Sequence, residues 1–263
     1  MTLNKNNYFT KENTYISNSR IKDYLTDPYY YYRKHVLGEV KDIESQPLRL
    51  GQAVDMWLTE GKKVFEKNYI AVTRRNLKNP PTTHTELPNG EYNMVVKLCE
   101  RVESQDAYKV LKDYKKQIIL SQDIKDLKNH KGICGIPDFF QVFNDIAIIV
   151  DLKTSITIDP YKYNFRCLDL GYYNQMAMYS KLIKHKYPEV KQVECRHLVV
   201  HKDPLEIYKT QVFILDAERI ALIEDNIDSI VQEIDSNKEW RGTNVSWDDA
   251  INIGQISENL TIE

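Results

Sequence analysis

In the first half of the chain apolar residues return every three or four positions; in the second half they come in short β-branched runs. Near the start, Ser17-Asn18-Ser19 supplies an N-cap for a short helix through Leu25. Asp27-Pro28 then opens a second helix over PYYYYRKHV, because aspartate caps a helix and proline suits its first turn. Between Leu48 and Gly61, Leu50, Val54, Trp57 and Leu58 fall on one side, which predicts a helix with Gly61 as its stop. The stretch NLKNPPTTHTELPNG reads as loop, since its Pro-Pro and Asn-Gly pairs interrupt regular structure. From Glu91 to about Tyr114 the helical period returns at Val95, Leu98 and Val102, then at Val110 and Leu111.

The texture then changes. Gln117–Ser121, Gly132–Phe143 and Ile146–Lys153 are rich in β-branched and aromatic residues and are separated by turn material, so they predict strands. The last two should pair as a hairpin about Asn144-Asp145. A helix over about Leu170–Tyr187 stops before Pro188. Two further strands, QVECRHLVVHK and EIYKTQVFIL, meet near Asp203-Pro204, and an amphipathic helix runs over about Asp216–Ile234. This order predicts a mixed sheet flanked by helices, in an α/β or α+β layer architecture.

Composition narrows the class. Of 263 residues, 42% are hydrophobic and 28% charged, with a formal net charge of −2, as in an ordinary soluble globular protein. No apolar run approaches the ~20 residues that span a bilayer. The polar N-terminus lacks a signal-peptide core, so a cytoplasmic location is expected and membrane association is not. Cys99, Cys134, Cys167 and Cys195 are scattered without Cys-x-x-Cys spacing and read as reduced, buried thiols. The near-neutral total hides an asymmetry: Met1–Lys202 holds 32 basic and 24 acidic residues, whereas Asp203–Glu263 holds 4 and 14. A basic body of this kind either attracts a polyanion or simply carries a solvated face.

Candidate chemistry concentrates in GIPDFFQVFNDIAIIVDLKTS. In the expected hairpin Asp138 and Asp151 are about equally far from the turn and so nearly opposite. Asp151 and Lys153, two apart on a strand, share a face. Two carboxylates and an ammonium would converge at one end of a sheet. Crowded carboxylates need a counter-charge, for which a divalent ion suits. The ammonium can orient a water and offset charge on a phosphate.

These residues resemble a known signature. Pro137-Asp138 followed by Asp151-Leu152-Lys153 is similar to the PD-(D/E)XK nuclease motif, and Gln175-Met176-Ala177-Met178-Tyr179 to the Q-x-x-x-Y element of its RecB-like branch. Upstream, ISNSRIKDYLTDPYYYYRKHV and LRLGQAVDMWLTEG resemble the N-terminal helices of RecE-like phage exonucleases. The resemblance spans roughly residues 16–201. It implies a restriction-endonuclease-like core and a DNA nuclease, most naturally a phage-type exonuclease of recombination or DNA processing in a bacterial or phage-infected cell. A single-strand annealing or other recombination protein would be its partner. The implied organisation is one domain: a helical N-terminal part over about 15–114, a catalytic core over about 115–215, and a C-terminal helix with an acidic tail over about 216–263.

The resemblance also assigns roles. Asp138, Asp151 and Lys153 would be catalytic. The two aspartates, with the backbone carbonyl of Leu152, would bind Mg²⁺ or Mn²⁺. Gln175 and Tyr179, on one helix face, would buttress the site or position DNA. Tyr32, Arg33 and Lys34 would contact DNA, or their helix would only cover the core.

Two positions depart from the pattern. Many relatives carry a histidine where Gly51-Gln52-Ala53-Val54-Asp55 places Asp55, which is then a harder oxygen ligand or a surface residue. A glutamate often stands in the first core strand near Gln117, and a neutral amide there weakens a second metal site. With no cysteine after Cys195 an iron–sulfur cluster is not expected, and without a Walker A sequence neither is a bound nucleotide. The alternative reading is a nuclease-fold DNA-binding or regulatory protein without turnover. A generic enzyme of small phosphorylated substrates lacks a Gly-rich phosphate loop.

Overall fold

The N-terminal third is built from capped helices. A two-residue strand β1 (Tyr15–Ile16) leads into α1 (Asn18–Thr26). Ser17 occupies the N-cap position of α1, but its hydroxyl bonds Ser19 at 2.9 Å and caps no backbone amide. Asp27 does cap: it accepts from the Tyr29 amide at 2.8 Å and starts α2 (Pro28–Tyr31), which widens into a π-helical turn over Tyr32–Val36. Then come α3 (Gln46–Glu60), closed by Gly61 at φ 103°, and α4 (Lys62–Asn68). In this computed structural model the described residues are 3–237, apart from 5–6, 9, 11–12, 42–43, 77, 79–80, 82 and 203–208.

The loop expected after α4 is not all loop. Strand β3 (Thr85–Pro88) lies within it and pairs in parallel with β2 (Tyr69–Val72), which precedes it, and α5 (Asn89–Glu103) begins within its last two residues. The helix expected through Tyr114 ends earlier, at Glu103, with Ser104 as its C-cap. A short α6 (Asp106–Lys109) and a 3₁₀ turn (Val110–Asp113) follow, so Val110 lies outside the apolar stripe and is exposed.

The strand region resolves into β4 (Lys115–Lys116), β5 (Leu120–Asp123), β6 (Gly132–Gly135), β7 (Phe139–Phe143) and β8 (Ile146–Ser155). The run Gly132–Phe143 is thus two strands in different sheets, divided at Ile136-Pro137-Asp138, where proline cannot donate to a ladder. Gln117 sits in the break between β4 and β5 with a left-handed φ of 50°, not in a strand. Helices α7 (Pro160–Asp169) and α8 (Tyr172–Lys186) precede β9 (Gln192–His201), β10 (Thr210–Ile214) and α9 (Ala217–Ser236).

The main sheet has the order β10-β9-β8-β7-β4. Here β8 runs parallel to β9, and β7 forms the expected hairpin with β8 across Asn144, whose φ is 54°. A smaller sheet has the order β1-β6-β5. Side chains alternate along β8. Ala147 and Ile149 pack with α1, α8 and α9, while Val150 joins Trp57, Leu98 and Val102 of α3 and α5 on the other face. Helices on both faces of a mixed sheet are the layer architecture the pattern called for.

A long-range clamp ties α9 to the segment before β6. Asp235, at the end of α9, accepts hydrogen bonds from the backbone amides of Lys128 (2.6 Å), Asn129 (2.8 Å) and His130 (2.8 Å) just before β6. Burial pulls against its charge, but these donors and the His130 ring hold the carboxyl below the usual range.

Candidate active site

Register places the key residues. Phe139 pairs with Val150, so Asp138, one residue before β7, stands beside Asp151 on β8. Asp151 is buried, and its carboxylate is ion-paired with Lys153 two residues on, along the face that β8 turns to α8. Asp138 accepts from the Leu152 amide at 2.8 Å through one oxygen and from the Gln117 side-chain amide at 3.2 Å through the other. The same Gln117 nitrogen reaches both oxygens of Asp55 at 3.4 Å, bringing α3 to the site.

Lys153 is held on several sides. Its ammonium donates to Gln175 Oε1 at 2.9 Å, pairs with Asp151, and lies 4.4 Å from the centre of the Tyr172 ring. Gln175 in turn donates to the Tyr179 hydroxyl at 3.0 Å, one helical turn along α8. The Tyr179 ring fits against Gly135 of β6: a Cβ there would come 2.7 Å from the ring. The two motifs separated in sequence are one hydrogen-bonded unit.

Charge at the site is unbalanced. Burial, then the charge of Asp151, pushes Asp55 up to about 7. Burial, with Asp151 and Asp55 adding to it, raises Asp138 well above the carboxylate range. Burial works against the Lys153 charge, but Asp151 and Asp138 outweigh it and keep the lysine protonated. Three carboxylates therefore face the single ammonium of Lys153. Among the described residues no group of three His, Cys, Asp or Glu side chains surrounds a common point, because Gln117 lies between Asp55 and Asp138 while Lys153 takes Asp151. The donor chemistry still fits a hard divalent ion: all-oxygen ligands that repel one another and that a cation would relieve.

The other sequence candidates are distributed as follows. Of the tyrosine run only Tyr31 is buried. Arg33 is exposed and pairs with Glu39 at 3.0 Å; Lys34 pairs with Asp23 at 3.0 Å, near His35 on the same carboxylate. Lys34, Gln175 and Tyr179 all line a polar cavity of about 590 Å³ that also includes Arg20 and Gly135. His197 is buried and bonds the Tyr163 hydroxyl at 2.9 Å, and His201 bonds the Ile156 carbonyl, so both have packing roles. All four cysteines are free and buried. The acidic stretch 243–260, including Trp247, lies outside the described residues. Sequence reasoning missed Tyr172, Gly135 and the Gln117 contact. Only the doubled tyrosine Tyr172-Tyr173 before Gln175 hinted at the first.

A family described as "PDDEXK-like domain of unknown function (DUF3799)" matches residues 17–245. No curated protein matches the chain. Among solved structures, one of a candidate exonuclease from Eubacterium rectale is 16% identical, with a TM-score of 0.65 over 100% of both chains, a likeness of fold. Another, SSO0001, is 10% identical over 78% of this chain and 85% of its own, with a TM-score of 0.30, and carries no argument.

Proposed function

We propose, from the premise that this chain belongs to the PDDEXK-like domain family, that it is a Mg²⁺- or Mn²⁺-dependent deoxyribonuclease that degrades DNA from an end, in phage-type recombination or DNA processing. The observation that carries this reading is the clamped lysine: Lys153 fixed between Asp151, Gln175 and Tyr172, beside Asp138. In this reading Asp138, Asp151 and the Leu152 carbonyl hold the ion, and Asp55 joins them in place of the family histidine. When bound, the ion polarises the scissile phosphate and acidifies a water. Lys153, kept protonated by its acidic neighbours, orients the attacking water and offsets charge on the phosphate. Gln175 and Tyr179 stop the ammonium from swinging away, which preserves its aim at the phosphate. Lys34, which lines the polar cavity, takes the DNA backbone together with Tyr32 and Arg33 of the same π-helical turn. A single-strand annealing protein would receive the product strand.

The candidate exonuclease from Eubacterium rectale, alike in fold, supports the choice of exonuclease over endonuclease. The test is incubation of the protein with end-labelled linear DNA and covalently closed circular DNA, in Mg²⁺, in Mn²⁺ and in EDTA. Loss of label from linear DNA alone, only with metal, is expected. Equal cutting of circles removes the end-dependence, and cutting in EDTA removes the metal. The Gln117 amide, engaged with both Asp55 and Asp138, favours one second reading, a DNA-binding protein without turnover. That protein would bind both substrates and cut neither.

A further inference from the structure

Helix α7, which follows the catalytic strand directly, has two unlike faces. Its inner face is anchored at the site: Tyr163 bonds His197, whose register partner on β8 is Asp151, and Cys167 is buried beside it. Its outer face carries apolar residues where solvent would favour polar ones. Tyr161 is 73% exposed and Phe165, one turn on, 54%, with Ile156 in the preceding loop at 67%. The two aromatic rings meet edge to face, with centroids 4.8 Å apart and planes at 78°, so each keeps a face open.

Beside this strip stand two cations without an anion. Lys202 follows β9 and its amide bonds the Ser155 carbonyl at 2.8 Å, which puts it at the mouth of the loop into α7. Arg166 of α7 is its neighbour, and burial together with the Arg166 charge lowers the lysine's pKa. Among the described residues neither side chain has a carboxylate partner or a hydrogen bond. Two partly buried cations that repel each other make a place for an external anion. Aromatic faces next to a phosphate-sized positive spot are what a strand with unpaired bases requires: stacking for the base, charge for the backbone. A duplex, whose bases are already stacked, gains only the charge.

We propose that the outer face of α7 docks unpaired nucleotides next to the catalytic strand, with Tyr161 and Phe165 stacking bases and Arg166 and Lys202 taking a phosphate. The surface lies one helix diameter, about 10 Å, from the strand that carries Asp151. It therefore selects single-stranded DNA, or a frayed end, as the substrate form. This inference rests on the nuclease reading above and names its substrate.

The test is fluorescence anisotropy with a labelled single-stranded oligonucleotide and a blunt duplex of equal length, in EDTA so that no cleavage intervenes. Tyr161→Ala/Phe165→Ala should weaken single-strand binding about ten-fold to a hundred-fold, one stacked base or more, and leave duplex binding within about two-fold. Arg166→Gln/Lys202→Gln should weaken both and reduce the salt dependence of binding. Circular dichroism of each variant establishes that it is folded, and since the two aromatic side chains are exposed, the stability of that variant should hold. Single-strand affinity equal to the parent's in the aromatic variant overturns the proposal. So does a shift from dimer to monomer on sedimentation with unchanged oligonucleotide affinity, which would make the strip a contact with a second copy. The nuclease reading is judged separately: it stands if the parent cleaves DNA with Mg²⁺ or Mn²⁺, whatever the aromatic variant binds. A parent that neither binds nor cleaves DNA overturns both.

Discussion

The ammonium of Lys153 reaches across 2.9 Å from β8 to the side-chain oxygen of Gln175 on α8. A strand and a helix thereby hold one charge from two directions. A lysine stem has four freely rotating bonds, and fixing its tip costs about 2 kcal/mol of rotamer freedom. The fold meets that cost with hydrogen bonds, an aromatic face and a carboxylate.

Removing any one of Asp138, Asp151 and Lys153 should end cleavage under the proposed function. Asp138→Asn, Asp151→Asn and Lys153→Ala are each expected to lower kcat by about a thousand-fold or more, because residues acting as a unit fail singly. Asp138→Asn should also raise the melting temperature in EDTA at alkaline pH, where ionised Asp138 is a buried charge that two carboxylates repel. Turnover assays and thermal melts on the same samples check both halves. A stable, fully active variant of any of the three would reject the site.

Gln175→Ala and Tyr179→Phe separate positioning from structure. Gln175→Ala frees the ammonium, so kcat should fall about ten-fold to a hundred-fold while KM changes little. Tyr179→Phe leaves Lys153 bonded to Gln175 and should cost less. If the loss appears in KM instead, the pair holds DNA directly.

The closest packing at the site predicts a remote effect. Gly135→Ala places a methyl 2.7 Å from Cε1 of Tyr179 and 3.1 Å from Leu182, both on α8. Such overpacking costs about 1–3 kcal/mol. The ring must move and Gln175 with it, so both melting temperature and kcat should fall although position 135 is no part of the charged cluster. A crystal structure showing an undisturbed Tyr179 would contradict this.

Asp55 should make the metal-free protein less stable as pH rises. Its carboxyl is raised to about 7 in the fold, against 3.8 ordinarily, so between about pH 4 and 7 the folded chain holds a proton that the unfolded chain lacks. Stability is therefore lost as pH climbs through that window, and Asp138 pushes the same way. Added Mg²⁺ binds only the folded, deprotonated site and should reverse the slope. Asp55→Ala should flatten the metal-free profile and weaken the Mg²⁺ response. Melting temperatures from pH 5 to 8, with EDTA and with Mg²⁺, decide it.

The reach of sequence reasoning is clearest at single positions. Asp138, Asp151 and Lys153 were legible because strand alternation and the hairpin fix their relative placement. Gln175 and Tyr179 were legible as a helical i, i+4 pair. Tyr172 was not, because nothing local says that an aromatic face will meet an ammonium nineteen residues upstream. Gln117 was expected near the site, but the left-handed turn that aims its amide comes from the exchange between two sheets. Helix α7 was missed although Asp159-Pro160 repeats the Asp27-Pro28 signal, and Asp159 does cap, accepting from the Lys162 amide at 2.9 Å. Strands β1 to β3, two to four residues long, carry too few positions for a period to show.

The clamp made by Asp235 has a consequence for synthesis. The amides of residues 128–130 lie just ahead of β6, whose last glycine seats Tyr179, yet their carboxylate acceptor is more than a hundred residues downstream. A chain growing from the ribosome can form the β7–β8 hairpin early, but it cannot lock this segment until α9 has emerged. The nascent protein is thus withheld from its finished site until α9 has been made. A truncation that ends before residue 235 should leave the hairpin intact and Lys153 poorly held.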